Sequence, residues 1–89
     1  MKYVLFYDLA DGAEALAQEH FPAHSARLTA FHERGLLLMV GTFTDLPRGA
    51  MGVFTSCEAV EEFMAHDPFV QHGVVAAPRV REWNEILTP

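Results

Sequence analysis

Apolar runs separated by polar breaks predict four β-strands along the chain. Lys2–Asp8 is rich in aromatic and β-branched residues, and its nearly continuous apolar character predicts a strand in the middle of a sheet. Further strands are predicted at Leu36–Phe43, Ala50–Thr55 and Val74–Trp83. The polar segment Thr44–Gly49 joins the second and third strands into a hairpin. Pro78 predicts either a bulge or an edge position for the fourth strand, because proline lacks an amide donor.

The first helix is predicted over Pro22–Arg34. Proline suits the first turn of a helix, and Gly35 suits its C-terminal end. The preceding segment, Ala13–His20, favours helix only weakly. Phe21–Pro22 is expected to separate this segment from the helix that follows.

The second helix is predicted over Cys57–His66. Ser56 is a natural N-cap, and Asp67–Pro68 ends the helix before a short turn at Phe69–Gly73. The order of elements is therefore βαββαβ, which is the order of the ferredoxin-like fold. We expect one α+β domain over residues 1–89, an antiparallel sheet with both helices on one face.

The second face of this sheet has no cover within the chain. The sequence is 51% hydrophobic over 89 residues, whereas a small domain buries only a modest fraction of its surface. Excess apolar surface favours a subunit interface, so we expect a homodimer.

Charge and cysteine content narrow the functional classes. The formal net charge is -6 with six Lys and Arg, so no nucleic-acid partner is expected, because such partners require a basic patch. No apolar run approaches the roughly 18 residues of a membrane helix, and the N-terminal run is interrupted too soon for a signal peptide. The single cysteine, Cys57, rules out an intrachain disulfide. A cytoplasmic protein is expected.

Two ionisable residues, His24 and Asp67, lie on apolar stripes of the predicted helices. The stripes repeat at spacings of three and four: Phe21, His24, Leu28 and Phe31, then Val60, Phe63, Met64 and Asp67. A desolvated imidazole and a desolvated carboxylate are the groups that proton-transfer chemistry needs. The structural alternatives are a core histidine bonded to backbone and an aspartate that caps the following turn.

The sequence does not decide which carboxylate, Asp67 or Asp8, is the partner of His24. In a βαββαβ fold the two helices are expected to run roughly parallel to each other, so His24 near the start of one and Asp67 at the end of the other are expected about 18 Å apart, the length of a dozen helical residues. Direct contact then requires a kink at Pro22, tilted helices, or a pocket that holds substrate between the two side chains. Asp8, at the end of the first strand, is the alternative partner and a candidate substrate-binding residue.

No metal and no cofactor are expected. His20 and His24 are four residues apart, but Phe21–Pro22 is expected to interrupt the helix between them, and no Glu or Cys completes a ligand set. Neither a Gly-x-Gly-x-x-Gly pattern nor a P-loop occurs.

Three short motifs occur in order along the chain. They are Pro22-Ala23-His24-Ser25-Ala26-Arg27-Leu28, Gly35-Leu36-Leu37-Leu38 leading to Gly41, and Asp67-Pro68-Phe69-Val70 before Gly73. Together they resemble the YciI-like (YCII-related) family, from the first strand to Trp83. The resemblance implies a dimeric α+β barrel of ferredoxin-like subunits and an active site at His24 and Asp67. It also implies kinship with dehydrochlorinases of chlorinated aromatic breakdown products.

Two positions depart from the family pattern. Thr42 follows the strand glycine where proline is common, and Phe21 stands where basic residues are common. Both departures argue against recognition of an anionic substrate.

These features favour a small cofactor-independent enzyme acting on an unknown small molecule. His24 would be the general base, and Asp67 would orient it or bind substrate, in lyase, dehydrochlorinase or isomerase-like chemistry. The alternative is a non-catalytic ligand-binding or accessory dimeric domain, because ferredoxin-like dimers serve both purposes.

Overall fold

A computed structural model describes residues 1–89 as one four-stranded sheet with three helices. In chain order the elements are β1 (Lys2–Leu9), α1 (Glu14–Glu33), β2 (Leu37–Thr42), β3 (Gly49–Phe54), α2 (Cys57–Ala65), α3 (Pro68–Gln71) and β4 (Val75–Trp83). The strand order is β2-β3-β1-β4, and each neighbouring pair is antiparallel. The predicted ferredoxin-like α+β fold is confirmed, with β1 in the middle of the sheet. None of the helices has the length and apolar character needed to cross a membrane.

The hydrophobic core lies between one face of the sheet and the helices. Leu5, Leu37 and Phe54 of the sheet meet Phe31 of α1 and Phe63 of α2, and each is at most 4% exposed. The Phe31 and Phe63 rings meet edge to face, with centroids 5.2 Å apart, which is a favourable aromatic geometry. Burying one such side chain contributes roughly 1.5–3 kcal/mol, so these contacts hold the helices on the sheet.

Helix α1 is longer than the sequence predicts. It runs without a break from Glu14 to Glu33 with Pro22 inside it, so the expected interruption at Phe21–Pro22 is wrong. Proline removes one amide donor from a helix interior. The tertiary contacts of the buried residues His24 and Phe31 lie beyond this point and outweigh the local preference, as packing generally does in protein helices.

The ends of the helices follow the sequence prediction. Gly35, just beyond α1, has a φ of +75°, a conformation that glycine adopts without steric cost. The Ser56 hydroxyl accepts a hydrogen bond from the Ala59 amide at 3.1 Å and caps α2. Asp67 ends the α2 segment and caps α3.

Strand β4 contains a β-bulge opposite Tyr7. Phe6 pairs with Arg79 and Asp8 pairs with Ala76, so two residues, Ala77 and Pro78, face the single residue Tyr7. Ala77 has a φ of +42°, which is an uncommon conformation for a residue with a side chain. Because β4 is also an edge strand, both alternatives predicted from Pro78 hold.

The second face of the sheet carries no helix. On this face Met39 is 66% exposed and Trp83 is 50% exposed. The C-terminal segment borders an open groove of about 610 Å³ on this face. Glu85 anchors the segment by accepting a hydrogen bond from Lys2 Nζ at 2.8 Å, and this contact with Lys2 lowers the pKa of Glu85 to about 2.

Candidate functional site

His24 and Asp67 are in direct contact inside the protein. His24 Nδ1 lies 2.7 Å from Asp67 Oδ1. Asp67 has no exposed surface, and His24 is 7% exposed. Both residues therefore lie on buried faces, as the apolar stripes predict.

The expectation that these residues lie a helix length apart is wrong. β1 and β2 both pair antiparallel with β3, so they run in one direction and α1 returns between them. β3 and β4 both pair antiparallel with β1, so they run the other way and α2 is antiparallel to α1. After α2, the short helix α3 packs against α1 and brings its cap residue Asp67 to His24.

The Asp67 carboxylate accepts hydrogen bonds from three donors. The Tyr7 hydroxyl donates to Oδ2 at 2.6 Å, the His24 ring donates to Oδ1, and the Phe69 amide donates to Oδ1 at 3.2 Å. The capping role and the role as partner of His24 are therefore filled by the same carboxylate. These charge-assisted bonds offset the loss of hydration that burial of a carboxylate causes.

The contact with Asp67 determines how the His24 ring can act. Because the Asp67 oxygen accepts, Nδ1 carries the proton in this bond. Phe69 stacks on the imidazole, with ring centroids 3.8 Å apart and planes 3° from parallel. Nε2 has no hydrogen-bond partner within the chain, so it is the nitrogen that can accept a proton.

An open cavity of about 710 Å³ lies beside His24. Phe21, Leu28, Val40 and Phe69 form apolar parts of its wall, and residues of the β2–β3 loop form its rim. Small-molecule sites commonly have volumes of about 300–1,000 Å³ with apolar walls and few polar groups. The free nitrogen of His24 therefore belongs to a side chain that borders a space of the right size for a small molecule.

Asp8 does not contact His24. The residue borders the same cavity, but its side chain is about half exposed and lies 3.6 Å from the Arg79 guanidinium. The structure therefore brings Asp67, and not Asp8, to the imidazole.

Tyr7 and Phe69 belong to the site although the sequence pattern places aromatic residues mainly in the core. Tyr7 shares the core face of β1 with Leu5. Its hydroxyl is the one feature of the sequence that indicates a polar partner there, because a buried tyrosine hydroxyl usually finds a hydrogen-bond partner. Burial, followed by the hydrogen bond to Asp67, raises the pKa of Tyr7 well above its ordinary value of 10.0. The Tyr7 hydroxyl therefore stays protonated and donates to Asp67 at neutral pH.

No group of three or more His, Cys, Asp or Glu side chains converges in a way that could hold a metal ion. His20 and His24 now lie in one helix, but His20 stacks on His72 with ring centroids 3.8 Å apart. His24 contacts Asp67 instead, so the two histidines serve separate contacts.

The protein is therefore a small α+β protein with a ferredoxin-like sheet and a buried His–Asp pair beside an open cavity. The chain matches the YCII-related domain over residues 1–84, and it belongs to this family. No curated protein matches the chain in sequence.

Solved structures share the fold at low sequence identity. TftG, a 5-chloro-2-hydroxyhydroquinone dehydrochlorinase from Burkholderia phenoliruptrix in complex with 2,5-dihydroxybenzoquinone, has a TM-score of 0.79 at 20% identity over 94% of each chain. A hypothetical Arabidopsis thaliana protein has a TM-score of 0.55 at 17% identity over 99% of this chain and 89% of its own. A mutant of MhuD with two manganese protoporphyrins per active site has a TM-score of 0.55 at 12% identity over 99% of this chain and 96% of its own.

The pKa of Tyr7 predicts how stability changes at alkaline pH. In the unfolded chain Tyr7 ionises at about pH 10, whereas in the folded protein it stays neutral to higher pH. Its contribution to stability is therefore complete below pH 10 and decreases as the pH rises above it. In the Tyr3→Phe variant, whose single tyrosine is Tyr7, phenolate absorbance is expected only as the circular dichroism of the fold is lost. Ionisation of Tyr7 near pH 10 in folded protein would contradict its burial against Asp67.

Proposed function

We propose that this protein is a small enzyme that takes a proton from a small molecule and so drives an elimination or isomerisation. The observation that carries the proposal is the buried chain of hydrogen bonds from Tyr7 through Asp67 to His24. These hydrogen bonds leave Nε2 as the free nitrogen of the His24 imidazole, and His24 lines the cavity. Membership of the YCII-related family supports the same reading.

His24 is the general base in this proposal. Asp67 holds the imidazole with Nδ1 protonated, so Nε2 presents its lone pair, and the carboxylate stabilises the imidazolium that forms. A positioned general base contributes roughly 10²–10⁴-fold to a rate. Asp8 is a candidate for binding a substrate hydroxyl, because it is one of the polar residues that border the cavity.

Dehydrochlorination is the form of elimination that the comparisons favour. TftG, which shares the fold, is a dehydrochlorinase. In such a step the substrate reacts as the keto tautomer, in which the carbon that carries chlorine is saturated. His24 Nε2 takes a proton from this tautomer, the electrons of the broken bond form a new double bond, and chloride leaves with the electrons of the carbon–chlorine bond. The substrate loses HCl overall, and solvent then removes the proton from the imidazolium. Only a proton and chloride leave, so the step needs no cofactor.

Chloride release from 5-chloro-2-hydroxyhydroquinone tests this proposal. We expect the wild type to release chloride and His24→Gln to release it roughly 10²–10⁴-fold more slowly. Asp67→Asn is also expected to be clearly slower, because a neutral amide does not stabilise the imidazolium as a carboxylate does. His66→Gln is the matched control, because His66 is exposed at the end of α2, and it is expected to keep the wild-type rate.

Two results would contradict the enzyme proposal. One is equal chloride release by the wild type and His24→Gln. The other is binding of 2,5-dihydroxybenzoquinone at His24 with no chloride release, a result that favours the alternative of a non-catalytic ligand-binding domain.

We also propose that the enzyme is a homodimer joined through the uncovered face of the sheet. Met39 and Trp83 are largely exposed there beside an open groove. A stable interface buries about 800 Å² on each partner, and a second copy of this face supplies an apolar surface of the same kind.

Sedimentation equilibrium at micromolar concentration tests the dimer. The expected mass is about twice the 9.9 kDa of the chain. Met39→Glu places a charge in the proposed interface and is expected to weaken the dimer by at least about tenfold. Leu16→Glu changes an exposed apolar residue of α1 and is expected to leave the dimer intact. A wild-type monomer, or equal effects of the two substitutions, would overturn the proposed interface.

A further inference from the structure

Arg48 is the one lysine or arginine that lines the cavity beside His24. The other cations are engaged elsewhere or lie on the opposite face of the sheet. Arg27 donates to backbone carbonyls at the end of α2, while Lys2, Arg34 and Arg79 pair with carboxylates. Arg48 is exposed and forms no ion pair within the chain. The cavity therefore contains one cation that the fold leaves available.

The strand register places Arg48 near the proposed catalytic pair. Tyr7 pairs with Ala50, and the Arg48 carbonyl accepts a hydrogen bond from the Leu9 amide at 3.1 Å. Arg48 lies one residue before β3, and this bond continues the β1–β3 pairing to it. Residues two apart along such a pairing share a face and lie about 7 Å apart, so Arg48 follows Ala50 on the face that carries Tyr7. The Tyr7 and His24 rings have centroids 6.3 Å apart. A small ligand that touches His24 can therefore reach Arg48 across the cavity.

Two acidic residues, Asp8 and Asp45, also border the cavity. Asp8 lies beside Arg79, which balances part of its charge. Asp45 forms no ion pair within the chain and opposes the binding of an anion at the rim. Arg48 and Asp45 are therefore the two unpaired charges of the cavity. Replacing Arg48 makes the cavity more negative, and replacing Asp45 makes it more positive.

We propose that Arg48 binds an anionic oxygen of the substrate, so that the substrate is a small organic anion. The proposal rests on the proposed role of His24: the acidic oxygen lies toward the rim, and the proton that His24 removes lies at the buried end. A guanidinium binds carboxylate or enolate oxygens through charge-assisted hydrogen bonds. It also stabilises negative charge that develops on such an oxygen during proton removal. Phe21 stands where basic residues are common in the family, and in this proposal Arg48 supplies the positive charge from the sheet side of the cavity instead.

Binding of two ring compounds of similar shape tests this inference by titration calorimetry. 2,5-Dihydroxybenzoquinone is ionised at neutral pH, whereas 2,5-dimethoxybenzoquinone is neutral. We expect Arg48→Gln to weaken binding of the ionised compound by about tenfold or more and to leave binding of the neutral compound unchanged. Asp45→Asn is expected to tighten binding of the ionised compound, and added salt is expected to weaken it. Arg34→Gln, which removes the same charge from an exposed ion pair between the end of α1 and Glu62 of α2, is the matched control.

Wild-type binding that is equal for both compounds, or absent for both, overturns the anion site. Equal binding of the ionised compound by the wild type and Arg48→Gln does so as well. Calorimetry reads binding and not turnover, so the outcome is independent of the chloride assay. If binding depends on Arg48 but no chloride is released, the anion site stands and the base role of His24 is wrong. If chloride is released at the same rate by the wild type and Arg48→Gln, the base role stands and the anion site is wrong.

Discussion

The buried carboxylate of Asp67 is the constraint on which the site depends. A charge with no exposed surface loses several kcal/mol of hydration, so it is stable only where donors replace water. Tyr7, His24 and Phe69 supply three donors to Asp67. They belong to β1, α1 and α3, and satisfying one carboxylate therefore fixes the relative positions of three elements.

The same constraint links the fold to the proposed chemistry. Tyr7 lies in the middle strand opposite the β4 bulge, and α1 continues through Pro22 so that His24 falls in its buried face. In the interior of the site Tyr7 and Phe69 donate to the Asp67 carboxylate, which in turn bonds the His24 imidazole, whereas the exposed charge of Arg48 lies at the rim of the cavity. The proposed orientation of the base and the proposed recognition of charge are thus assigned to different parts of the site, and each can be tested by its own substitution.

Local signals in the sequence predict most of the elements, because glycine, proline and capping residues act on their immediate neighbours; Pro22 is the exception, since α1 continues through it. The bulge at Pro78 is one example. Burial of His24 and Asp67 also follows from local spacing. Their contact does not, because it depends on the antiparallel course of α1 and α2, which the strand pairing sets over long range. Tyr7 escapes prediction because a buried aromatic side chain gives the same pattern in a core and in a site.

The tautomer of the His24 imidazole tests the central claim most directly. Nuclear magnetic resonance of protein with isotope-labelled histidine distinguishes a protonated Nδ1 from a protonated Nε2 in the neutral ring. The wild type is expected to carry the proton on Nδ1 and to leave Nε2 free, because Asp67 accepts the bond. Asp67→Asn is expected to change this tautomer, with exposed His66 as an internal reference. A wild-type ring protonated on Nε2, or a tautomer that ignores the substitution, would contradict the account.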